Sequence, residues 1–247
     1  MSKTILITGA TSGFGEATAR RFAAEGWQLV LTGRRSERLQ QLQTELGDAV
    51  RDIITLDMQD REQIFAKLGT LENIDLLLNN AGLALGLEPA WEVNPDDWEN
   101  MVETNIKGVI YATRAILPQM VERNSGQIIN IGSTAGRWPY PGGNVYGGTK
   151  AFVEQFGRNL RADLLGKKVK VTTLAPGMAE SEFSNVRFKG DTEKASQVYK
   201  GTEPLRPEDI AEMIWWLANL PPHVNINHME AMCLDQSWGH LAVNRDI

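Results

Sequence analysis

The sequence predicts an α/β fold, a single doubly wound parallel sheet with helices on both faces. Three observations predict it. Short apolar runs alternate with helical patterns along the chain, the runs are continuously apolar, and the first opens directly onto a glycine-rich turn. Continuously apolar strands are buried on both sides, as they are when crossover helices cover a parallel sheet. Strand–helix alternation carried through the length builds such a sheet.

The elements follow in order. TILITG leads into a helix from about Gly13 to Glu25, and WQLVLTG into one over Ser36 to Leu46. VRDIITLDM precedes a helix from about Asp60 to Leu71, and IDLLLNN is the fourth strand. A long helix is expected from about Pro95 to Arg123, then the strand QIINIGS and a helix from about Val145 to Leu165. VKVTTLAPG, a helix from Arg206 to Leu220 and a last strand near Glu230 to Leu234 complete the pattern. Residues 178–205 interrupt it, being polar and without sheet periodicity. Insertions after strand C-termini lie over the ligand crevice of an open α/β sheet. The segment therefore reads as a substrate lid or as a plain surface excursion. No linker or repeat divides the 247 residues, so 1–247 are expected to form a single domain.

Composition narrows the partners. With 42% hydrophobic residues the chain can bury a sizeable core. A net charge of −6 argues against nucleic acid or an anionic membrane, so local positive groups must hold any anionic ligand. The single cysteine, Cys233, leaves no internal disulfide and suits a reducing cytoplasm. It reads as a small buried apolar residue. The apolar run in MSKTILITGA is too short for a signal peptide, and no run approaches membrane-spanning length. His223, His228 and His240 match no zinc spacing, so no metal is expected and they read as tail and surface residues.

The chemistry begins at Thr8-Gly-Ala-Thr-Ser-Gly-Phe-Gly15. Gly9, Gly13 and Gly15 permit a tight turn between strand and helix, with Thr11, Ser12 and Phe14 between them. Such a turn aims helix N–H groups and a partial positive charge at a pyrophosphate. The second strand ends at Gly33-Arg34-Arg35, where selection of a free ribose 2′-hydroxyl calls for an acidic residue. Guanidinium forks there suit a 2′-phosphate. Alone they would read as a solvated helix start; with the glycine turn they point to NADP(H). Asp57 is placed to accept from an adenine amino group, and Asn79-Asn80-Ala81-Gly82 to let a nucleotide lie close to the backbone. Each reads equally as a strand-end turn.

Tyr146 and Lys150 stand four apart at a helix start and so share one face. A phenol titrates near ~10, and a neighbouring ammonium would lower that value. Tyr146 would then donate a proton to a carbonyl oxygen during reduction and recover it during oxidation. Ser133, closing its strand, would hold the same oxygen. Asn105, polar inside a helix, would anchor a water beside Lys150.

Taken together, Thr8 to Gly15, Asn79 to Gly82, Asn105, Ser133, Tyr146, Lys150 and Pro176-Gly177 resemble the short-chain dehydrogenase/reductase family across the whole chain. The resemblance implies a Rossmann-type dinucleotide-binding catalytic domain and hydride transfer at nicotinamide. It also implies a catalytic Asn105–Ser133–Tyr146–Lys150 tetrad, ribose binding by Lys150 and nicotinamide support from Pro176-Gly177. For the substrate, Arg137 and Tyr140 after Ser133, and Arg187 in the excursion, would face an anionic head group beside Ser133 and Tyr146. Arg137 reads equally as a solvated side chain. The stretches GRWPYPGGNVYGGTKAF and EFSNVRFKGD resemble a branch of NADP-dependent 3-hydroxy acid dehydrogenases. That branch acts on serine, allo-threonine and 3-hydroxypropionate or malonic semialdehyde; similar enzymes reduce sulfoacetaldehyde to isethionate. The branch implies a homotetramer. Two further readings stay open: a reductase of uncharged carbonyls, and an NADP(H)-binding redox sensor with little turnover.

Overall fold

The computed structural model describes residues 2–238. Seven strands, β1 (Thr4–Ile7), β2 (Gln28–Gly33), β3 (Val50–Thr55), β4 (Leu76–Asn79), β5 (Gly126–Ile131), β6 (Val169–Pro176) and β7 (His228–Ala231), form one sheet. All pairs are parallel, in the order β3-β2-β1-β4-β5-β6-β7. The chain walks outward from β1 to β3, then returns to the other side of β1 with β4. A crevice opens beyond the strand C-termini where the direction reverses. In open α/β sheets that is where a ligand binds.

The central strands β1 and β4 are apolar almost throughout because both faces are covered, whereas the edge strands β3 and β7 are only partly buried. In β1, Ile5 and Ile7 join a cluster with Phe22, Leu31 and Ile214 on one face, while Leu6 joins Val30, Ile64 and Ile116 on the other. The first face is covered by α1 (Gly13–Ala24), α2 (Ser36–Leu46) and α9 (Pro207–Ala218); the second by α3 (Arg61–Leu68), α5 (Gly108–Glu122) and α6 (Asn144–Asp163). Phe22, Trp27 and Trp215 meet edge to face at 5.0–6.3 Å, so Trp215 belongs to the core. Its neighbour Trp216 is half exposed. Cys233 is buried, as expected.

Two local expectations are refined and two corrected. The long helix runs unbroken from Pro95 to Glu122, with a π-helical turn at Glu103–Lys107 between α4 (Pro95–Val102), started by Pro95 after an Asn94 cap, and α5. The excursion contains two six-residue helices, α7 (Glu182–Arg187) and α8 (Thr192–Gln197), capped by the side chains of Ser181 and Asp191. They are too short to show a helical period in sequence. The last strand starts earlier, at His228. His228 is therefore no tail residue: its ring is partly buried, with Nε2 3.8 Å from Glu154. His240 lies outside the described residues.

Candidate active site

The crevice is built where β1 and β4 end. Thr8 Oγ1 donates to the Leu78 carbonyl at 3.1 Å and accepts from the N–H groups of Asn80 and Ala81, both at 3.0 Å. Asn80 Nδ2 donates to the carbonyls of Thr8 and Gly9 at 2.9 and 3.0 Å. These bonds hold the glycine turn against the Asn80–Gly82 segment. Gly9 has φ of +68°, and a Cβ there would lie 2.9 Å from the Ala81 Cα. A Cβ on Gly15 would lie 2.4 Å from the Gly9 carbonyl oxygen. Only glycine fits either place.

The resulting cavity of about 490 Å³ is of ordinary ligand-site size. Gly9, Thr11, Ser12, Gly13 and Phe14 line it from the turn; Arg34, Arg35 and Asp57 from β2 and β3; Asn80, Ala81 and Gly82 from β4; Pro176 and Gly177 from β6. Gly15 packs beneath the turn rather than facing the cavity. Asp57 Oδ1 accepts from the Gln59 N–H at 3.0 Å, which braces the carboxylate.

The two arginines at the end of β2 differ. Arg34 is exposed at the cavity rim and has no hydrogen-bond or ion-pair partner among the described residues. Arg35 is committed: it donates to Thr11 Oγ1 at 3.2 Å, to the Thr11 carbonyl at 3.0 Å and to Glu182 Oε2 at 2.8 Å. Arg38 joins the same pair of partners, at 3.2 Å from the Thr11 carbonyl and 2.6 Å from Glu182 Oε1. A backbone cradle that a side chain would fill, with an unpaired guanidinium at its rim, fits a phosphorylated dinucleotide.

At the other end, the first turns of α6 bring Tyr146 and Lys150 into the cavity, both buried. Burial pushes the Tyr146 phenol up to about 12; the Arg187 charge and a hydrogen bond with Ser133 oppose this, and Tyr140 adds to it. Lys150 is itself pushed down to about 8 by burial. Its Nζ donates to the Ile131 carbonyl at 2.9 Å and lies 5.9 Å from the Tyr146 ring centre. The expected lowering of the phenol by Lys150 is thus corrected. Desolvation wins, and the cation opposing it is Arg187.

Asn105, in the π-helical turn, is buried, and its Oδ1 and the Lys150 Nζ both border Gly82, 3.2 and 3.5 Å from where a Cβ there would lie. Its Nδ2 donates to the Leu83 carbonyl at 2.8 Å and to Thr149 Oγ1 at 3.1 Å, while Oδ1 accepts from the Leu83 N–H at 2.9 Å. The side chain ties the segment after Gly82 to α6.

The excursion closes this end. Phe183 packs on Tyr146 at 5.6 Å between ring centres. The Arg187 guanidinium stands 5.1 Å from the Tyr146 ring centre and donates to the Tyr140 hydroxyl at 2.6 Å. Its Nε–H is buried and has no partner among the described residues. Arg137, by contrast, does not line the cavity. It donates to both oxygens of buried Glu154, at 2.8 and 2.9 Å from Nε, and Arg158 grips the same carboxylate. Glu154 stands one helical turn beyond Lys150 and draws Arg137 away, so the expectation of a substrate contact there is corrected. Sequence reasoning placed Thr8 in the glycine motif without giving it a role, and missed Arg38, Thr149, Glu182 and Phe183. Thr8, at a strand end before Gly9, carried a local signal; the others act through partners far along the chain.

A family model described as short chain dehydrogenase matches residues 3–192. The chain belongs to the short-chain dehydrogenase family. This dehydrogenase is 56% identical to the NADP-dependent 3-hydroxy acid dehydrogenase YdfG of Escherichia coli (strain K12) over 246 residues, covering 98% of this chain and 99% of the relative. It is 51% identical over 252 residues to sulfoacetaldehyde reductase 2 of Chromohalobacter salexigens, covering 100% of both. A solved structure described as the closed form of serine dehydrogenase complexed with NADP+ superposes with a TM-score of 0.94 at 56% identity, covering 98% of this chain and 99% of that one.

Proposed function

We propose that this dehydrogenase is an NADP(H)-dependent oxidoreductase acting on a small acid-bearing substrate, a 3-hydroxy acid or the aldehyde related to it. The observation that carries the reading is Arg187, a partly buried cation beside the Tyr146 phenol whose Nε–H is buried and has no partner among the described residues. An arginine fork pairs bidentately with an acid group, and Tyr140 flanks it. The relatives named above are a 3-hydroxy acid dehydrogenase and a sulfoacetaldehyde reductase, both of which act on short chains with an acid group near the reacting carbon.

NADPH, when bound, supplies a hydride to the carbonyl carbon. Tyr146 then donates its proton to the carbonyl oxygen, which Ser133 holds by a hydrogen bond. Lys150 keeps a positive charge beneath the site, and Asn105 fixes the Leu83 backbone against α6. Arg34 takes the 2′-phosphate, because its neighbour Arg35 is already occupied. Residues 178–205 act as the lid over residues 1–247 as one catalytic domain. By family resemblance the protein is a cytoplasmic homotetramer.

The test is NADPH oxidation with malonic semialdehyde and with sulfoacetaldehyde, for the wild type and Arg187→Ala. Losing a hydrogen-bonded charge pair should raise KM for the preferred acid about tenfold to a hundredfold. The larger kcat/KM decides between carboxylate and sulfonate. An unchanged KM in the variant would make this a reductase of uncharged carbonyls. Tight NADPH binding without turnover of any carbonyl would make it a sensor.

A further inference from the structure

Glu182 lies in a place that hydride transfer does not require. It opens α7, after the C-terminus of β6, yet its carboxylate is gripped by Arg35 and Arg38, which follow β2. In the sheet β2 and β6 are four places apart, with β1, β4 and β5 between them. At about 4.8 Å per strand that is roughly 19 Å at the sheet. The ion pairs therefore span the crevice rather than brace one wall.

Three contacts turn this bridge into a fastening for α7. Ser181, just before the helix, touches the glycine turn: a Cβ on Gly13 would lie 3.4 Å from the Ser181 Cβ. Beyond the helix, Lys189 Nζ pairs with Asp97 Oδ2 at 2.7 Å. The Arg187 carbonyl accepts from the Gly86 N–H at 2.9 Å. Between these anchors the helix carries Phe183 and Arg187, the two side chains laid against Tyr146.

We propose that Glu182 is a positioning residue: with Arg35 and Arg38 it clasps α7 across the crevice, retains the bound NADP(H) and sets Arg187 over Tyr146. Arg35 and Arg38 also hold the Thr11 carbonyl, so the clasp joins the excursion to the glycine turn through shared guanidiniums. Arg34 stays free, and phosphate binding does not compete with the clasp. The three side chains are 42%, 41% and 39% exposed, so water weakens each pair and the clasp can open at each turnover. The part concerning Arg187 rests on the substrate reading above; cofactor retention does not.

The experiment is stopped-flow displacement of NADPH, with no substrate present, from the wild type, Glu182→Gln, the Arg35→Gln/Arg38→Gln double variant and the triple variant. Glu182→Gln should release NADPH about threefold to tenfold faster than the wild type. On the background lacking both arginines the same substitution should have no effect, because its partners are gone. In turnover, Glu182→Gln should raise KM for the acid substrate while kcat holds or rises. An unchanged release rate in Glu182→Gln overturns the proposal. Equal acceleration with and without the arginines overturns it too, since Glu182 would then act elsewhere. If Arg187→Ala leaves KM unchanged while Glu182→Gln speeds release, the substrate reading falls and the clasp stands.

Discussion

Tyr146 and Lys150 are pushed in opposite directions by the same cause. Burial holds the phenol up to about 12, so it is protonated at neutrality, and holds the ammonium down to about 8. A protonated phenol is ready to donate, which suits reduction. The reduction rate should hold across neutrality and decline as pH rises through about 8, where Lys150 loses its charge. Oxidation needs a proton acceptor and should rise over the same range; matching profiles of kcat/KM in the two directions would contradict this. Tyr146→Phe keeps the ring but removes the proton, and should cost about 10²- to 10⁴-fold in kcat with NADPH binding intact. Near-normal turnover would refute the role. Spacing alone made these two residues neighbours, but it carried no information about which effect on the phenol prevails. That depends on how completely Phe183 and the excursion exclude water. Arg137 and Arg187 teach the same lesson: in sequence both are loop cations near the site, and only Glu154 tells them apart.

Among elements, α6 was legible because it is long and carries its chemistry at its start, and β1 because an apolar run meets three glycines. The π-helical turn was not legible. Nothing local marks Glu103–Lys107; the turn is found together with the bonds that Asn105 makes to Leu83, 22 residues earlier. π-turns concentrate at functional positions in this way. Within α6, Gly148 offers a contrast with the crowded glycines of the first turn: a Cβ there would meet nothing within 4 Å. Glycine inside a helix costs about 0.5–1 kcal/mol relative to alanine. Gly148→Ala should therefore raise stability by about that much in denaturant titration, with activity preserved. A lowered midpoint would mean that a partner surface occupies the space.

For the whole molecule, one face of α6 carries a stacked pair, Phe152 and Phe156, at 5.6 Å with rings 14° apart; Phe156 packs in part against the core, and neither is fully buried within the chain. A face of this kind suits the inferred homotetramer. Sedimentation should give four times the chain mass; a monomer would refute that assembly. The doubly wound sheet was legible because burial on both faces leaves its mark on the central strands, above all β1 and β4. The links between distant parts, Glu182 to Arg38 or His228 to Glu154, were not, since each joins segments that only the folded sheet brings near.

The position of β1 has a consequence for synthesis. It sits between β2 and β4, so both of its edges need partners, and the second partner, β4, begins only at Leu76. At translation speeds of about 5–20 residues per second, roughly 4 to 14 s pass between the two strands leaving the ribosome. Throughout that interval a wholly buried central strand of the sheet has one edge unsatisfied, and a nascent chain stalled before β4 would be a natural client for chaperones.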